Sequence, residues 1–235
     1  MTEKEWLRFS DTDDVFDYLQ KHQYSERKAR LFAVACCRTL EPWLSESVCR
    51  VAIDRSEQFA DGHITRQALG ASRKDFPAAK RFRLRSECQH RGFTGALELL
   101  PPRTRMAIWS ASWDACHYSV RADGWDAARY SLLAAAVAHE HATSREERAG
   151  LFRGLLHDIF GNPFRLVAVE PDWRSSDVLG LARAIYEDRT FDRMPILADA
   201  LMDAGCTDDK IIGHCGGDKP HVRGCWVLDL VLGRE

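Results

Sequence analysis

From Arg103 to Asn162 the chain contains no proline. Proline inside a helix removes a backbone donor and clashes with the preceding turn, so this stretch is free to form long helices. Apolar residues recur through it at helical spacing. Met106, Ile108, Trp109 and Trp113 mark one helix. Asp123 caps a second, which carries Trp125, Tyr130, Leu132, Leu133 and Val137. Thr143 or Ser144 caps a third through Leu151, Phe152, Leu155, Leu156 and Ile159. Gly161 stands where a helix ends in left-handed backbone, and Asn162-Pro163 turns the chain away, because a residue before proline avoids helical angles.

The flanking segments carry similar punctuation. Thr2-x-x-Glu5 has capping-box spacing, Asp11 or Thr12 caps a second helix, and Ser25 precedes a longer one through Leu40. Pro42 breaks that helix; Ser45 or Ser47 starts the next, which Asp61-Gly62 ends. Beyond Pro163, Phe164 to Val169 is the one segment of strand character. Helices follow from Ser175 or Ser176, from Pro195 to Gly205, and near Asp208 to His214. A final helix is expected from about Pro220 to Leu232, packed on most sides, with Trp226 buried and Arg223 and Asp229 in water. The expected fold is an all-α, multi-helix globular bundle, either two lobes over residues 1–72 and 101–235 or one continuous domain. A loop-rich basic connector spans 73–100.

Charge and composition exclude several classes. In 235 residues, 33 Lys+Arg face 35 Asp+Glu, a net charge of -2, so the chain as a whole is not a basic nucleic-acid binder. The hydrophobic share of 45% suits a globular protein with a core. The longest apolar runs, Leu31 to Cys37 and Leu132 to Ala138, fall far short of the ~20 residues a membrane helix needs. The acidic start leads into no apolar signal region, so a cytoplasmic protein is expected. In that compartment the eight cysteines read as buried thiols rather than a disulfide framework.

Candidate chemistry concentrates in two places. Cys206, His214, Cys215, His221 and Cys225 crowd one window near the end. His221 and Cys225 are spaced i, i+4 and would share a face of the expected final helix. That stripe continues to Leu228 and Leu232 and reads first as core. Zinc coordination by Cys206, Cys215, His221 and Cys225 is the alternative, although no Cys-x-x-Cys knuckle is present. The second place is the basic segment, where Arg73, Lys74, Lys80, Arg81, Arg83 and Arg85 are interleaved with Phe76 and Phe82 and could track a phosphate backbone. Elsewhere, His139 and His141 are two apart and diverge on a helix, unlike the i, i+4 pair of a metalloprotease. Cys116-His117 and His157-Asp158 are adjacent pairs, and adjacency does not bring a base to a nucleophile. No catalytic residue is assigned.

Two groups of segments carry a resemblance. Met1–Leu7, Arg27–Arg38 and Ser56–Gly62 form one, and Leu156–Arg165, Ala182–Tyr186, Ala198–Leu201 and His221–Trp226 the other. Together, over residues 1–62 and 156–235, they resemble a family of uncharacterised bacterial proteins, mainly from planctomycetes. The resemblance implies a bacterial, cytoplasmic protein and no particular activity. From the residues, a large core with seven Trp and no coherent catalytic constellation, the expected function is a non-enzymatic helical interaction or regulatory module that docks a protein partner. Nucleic-acid association through 73–91 and zinc binding near the end are its alternatives.

Overall fold

The computed structural model describes residues 1–8, 12–44, 47–74, 76 and 100–234. Among them the fold is all-α, with no strand, and no helix is long and apolar enough to cross a membrane. The chain divides into two compact units, residues 10–152 and residues 1–9 with 153–235. The sequence places the division at 73–100; in the structure it falls at Phe152 and Arg153, inside a helix. Lys80, Arg81, Arg83 and Arg85, with Asp11 and Ser45, lie outside the described residues.

The 10–152 unit is built around α3 (Glu26–Arg38), which is buried at every position from Ala29 to Cys37. A helix apolar on all sides must be enclosed. α4 (Ser47–Ala60), α5 (Pro102–Ser119) and α6 (Gly124–Glu140) pack against it, and α2 (Thr12–Lys21) packs on α6. Residues 66–74 are also helical, with Arg73 and Lys74 exposed on them. The expected caps are present: Ser25 accepts from Lys28 N at 3.3 Å and Asp123 from Asp126 N at 2.8 Å. Each satisfies a donor that the first helical turn leaves open.

Among the described residues, Arg30 is the one Lys or Arg that is buried. Its guanidinium donates to the carbonyls of Ser119 (3.1 Å) and Ala122 (3.0 Å), at and just beyond the end of α5, and lies over the Phe59 ring. Burial lowers its pKa to about 10, which leaves it charged at neutral pH. A cation there complements the carbonyl end of the helix dipole.

The second unit starts with α1 (Glu3–Arg8), closed by the Thr2–Glu5 capping box. Trp6 is fully buried in it, and the His157 ring lies 5.5 Å from the Trp6 ring. α7 (Arg145–Phe160), α8 (Ser176–Asp188), α9 (Met194–Asp203), α10 (Asp209–Cys215) and α11 (Trp226–Leu232) follow. Phe164 to Val169 forms no strand.

The end of the chain differs from expectation. The last helix begins at Trp226, not Pro220, because Gly224 takes φ +93° and a turn closes from Cys225 N to Val222 O. The residues that face inward also differ. Asp229 is buried, Trp226 is half-buried, and Arg223 is half-buried with its guanidinium over Tyr186.

Gly161 ends α7 with φ +66°, and Asn162-Pro163 redirects the chain, as the sequence predicts. The glycine is required twice. Its backbone is left-handed, and a Cβ would stand 3.2 Å from Cγ of the Trp226 indole. Gly161→Ala should destabilise the second unit by about 1–3 kcal/mol, combining left-handed strain with displacement of the ring. Chemical denaturation followed by tryptophan fluorescence would measure it, and an unchanged midpoint would contradict this packing.

Candidate metal centre

Three local features bring four side chains to one point in the second unit. α7 carries Leu151, Leu155 and Asp158 along one helical stripe, so an acid sits where an apolar residue would continue the pattern. Asp208 caps α10 by accepting from Lys210 N (2.8 Å) and Ile211 N (3.1 Å), which fixes the helix whose last turn holds His214 and Cys215. The Gly224 turn brings His221 and Cys225 together without a helix, and Cys225 becomes the residue preceding α11.

The donor atoms of Asp158, His214, His221 and Cys225 all lie within 4.8 Å of one another. His221 Nδ1 is 2.7 Å from Asp158 Oδ1, and His214 Nε2 is 3.1 Å from the same oxygen. His214 Nε2 is also 3.1 Å from Cys225 Sγ, and His221 Nδ1 is 3.9 Å from that sulfur. Asp158 Oδ2 turns away and accepts from Val222 N at 2.9 Å. That bond fixes the carboxylate with one oxygen toward the histidines. The half-buried Trp226 indole stands 5.0 Å from the His214 ring, between ring centroids.

Electrostatics follow from enclosure. Burial pushes the Asp158 carboxyl up, but hydrogen bonds from His214 and His221 and their charge outweigh it and hold the group below its ordinary value. Asp158 is therefore an anion in a nearly closed site. Burial pushes the Cys225 thiol well up and the Asp158 charge adds to this, while the backbone N–H groups of Leu228 and Val227 draw it back. His221 Nε2 is buried and has no hydrogen-bond partner among the described residues. Of the four side chains, His214 alone keeps appreciable solvent contact, 18% against 5% or less for Asp158 and His221 and none for Cys225.

The arrangement is not a nucleophile relay. In a relay the nucleophile and the orienting acid occupy opposite ring nitrogens. Here Asp158 and Cys225 face the same nitrogen of each ring, Nε2 of His214 and Nδ1 of His221. One carboxylate oxygen, two imidazole nitrogens and a sulfur thus converge on a common centre. Bonds of ~2.0–2.3 Å at tetrahedral angles put donor atoms about 3.3–3.6 Å apart; four of the contacts, 2.7–3.9 Å, bracket that range, and the whole set lies within 4.8 Å.

Of the four ligands named from the sequence, His221 and Cys225 belong to this group. Cys206 and Cys215 do not: they lie in the apolar core that Cys225 also borders, with Val178, Leu197 and Ile211, but their sulfurs are not among the converging donor atoms. Burial, with the charge of Asp158 and the neighbouring Cys206, pushes the Cys215 thiol up to about 12, as suits an inert core thiol. His214 belongs to the window but not to that set, and Asp158 was not connected with it. The acid on an otherwise apolar stripe of α7 is the signal that points to it. No protein-family model, curated protein or solved structure matches the chain.

Proposed function

We propose that this chain is a metalloprotein whose second unit holds a divalent ion of the zinc class on Asp158, His214, His221 and Cys225. The observation that carries the reading is the shared ring nitrogen: acid and thiol approach each imidazole at the same atom, the geometry of ligands around one centre. Charge is consistent with it: a bound cation would displace the Cys225 proton, and the thiolate with the ionised Asp158 would then balance a divalent ion in the buried group. Chemistry supports it as well, since imidazole and thiolate donors favour zinc and its neighbours over magnesium or calcium. Four protein donors fill a tetrahedral shell, the pattern of structural rather than catalytic zinc.

Elemental analysis of purified protein should find about one zinc per chain. Cobalt loading should produce intense visible bands and a sulfur-to-cobalt charge-transfer band in the near ultraviolet, and Cys225→Ser should abolish the latter. Asp158→Asn and His214→Ala should each weaken zinc more than about 100-fold, beyond the loss typical of an outer-shell partner. Protein that takes up neither zinc nor cobalt would overturn the reading.

A second reading, docking of a protein partner, draws on α6. Tyr130, Leu133 and Val137 line one face of that helix and are exposed, Leu133 by 64%. An apolar stripe open to water is a contact surface in many proteins. A photocrosslinking residue at position 133 should capture one discrete protein, and the capture should fail with Val137→Glu. Diffuse labelling insensitive to that substitution would sink it.

A further inference from the structure

We infer that the ion, on the reading just given, is the folding staple of residues 209–234, so that metal occupancy decides whether this segment is ordered. α10 and α11 have seven residues each, far fewer than the ~12–15 at which an isolated helix is even marginal in water. Between them residues 216–220 are exposed and without regular structure. The chain then dives inward, with His221, Gly224 and Cys225 buried.

What meets that inward stretch is polar. Asp158 accepts from Val222 N and faces His221 and His214, while Cys225 offers sulfur to His214. Without an ion the segment must close on an enclosed carboxylate whose charge is met by hydrogen bonds alone, and a buried charge is costly unless it is paired. With an ion, the charge of Asp158 is balanced and three points of the segment, His214, His221 and Cys225, are tied to α7. Ligands this far apart in sequence are assembled only in the folded chain, so the free energy of binding becomes free energy of folding.

The test compares full-length wild-type protein loaded with one zinc and stripped by a chelator, using hydrogen exchange resolved by mass spectrometry. The expected result is that peptides from 209–234 exchange at least tenfold faster in the stripped protein, while peptides from 10–152 are unchanged. Cys215→Ala, which alters a buried core thiol outside the ligand group, should keep the zinc-dependent difference. Uptake of one zinc with the same exchange in both forms would overturn the staple and leave the metal site standing. Loss of protection throughout 10–152 would also overturn it, because the effect would not be local. Failure to take up zinc at all would remove the metal reading itself.

Discussion

The carboxylate of Asp158 is enclosed on the last turn of α7, yet it remains ionised because everything polar near it donates. His221 Nδ1 and His214 Nε2 face one oxygen, and Val222 N–H binds the other. Removing a charge from water is costly unless it is paired and hydrogen-bonded. The residues that offset this cost in the second unit come from the end of α10 and from the connection to α11. The position of the irregular stretch 216–225 thus depends on one acid more than fifty residues earlier in the chain. Gly161 serves the same junction, since its missing side chain leaves room for the Trp226 ring that flanks His214.

The 10–152 unit meets a comparable demand differently. There Arg30 is an enclosed charge, satisfied by the carbonyls of Ser119 and Ala122 and by the face of Phe59. Ser56 donates to the same Ser119 carbonyl at 2.7 Å. Arg30 uses carbonyls that a helix end would otherwise leave open, so its surroundings are complete with protein groups alone. Asp158 is likewise met by protein donors, but those nitrogens and the Cys225 sulfur also face one another, and on that convergence the proposed ion rests.

Much of the fold was legible because it is written locally. The Thr2–Glu5 box, the caps at Ser25, Asp123, Ser175 and Asp208, and the left-handed stop at Gly161 each involve residues within four of one another. The candidate site was legible only in part. His221 and Cys225 were found by composition, but the reason offered, a shared helical face, does not hold, because Gly224 breaks the backbone between them. The same turn delays the last helix, and within it Asp229 is buried and Trp226 only half so. Cys206 and Cys215 have the right chemistry in the wrong place: Cys215 on the last turn of α10, and Cys206 just after the Gly205 turn that follows α9, are both held in the apolar core outside the group. Asp158 could not be linked to the cluster by spacing, because only the tertiary fold joins α7 to the end of the chain.

X-ray absorption at the zinc edge of the metal-loaded protein examines this account most directly, because it counts the atoms around the ion by element. Four ligands from Asp158, His214, His221 and Cys225 predict three nitrogen or oxygen scatterers at about 2.0–2.1 Å and one sulfur at about 2.3 Å, with imidazole outer-shell features from two rings. Two or more sulfurs would bring Cys206 or Cys215 into the shell, and a shell of nitrogen and oxygen alone would remove Cys225. Either result would contradict the convergence of one acid, two imidazoles and one thiolate on a single ion.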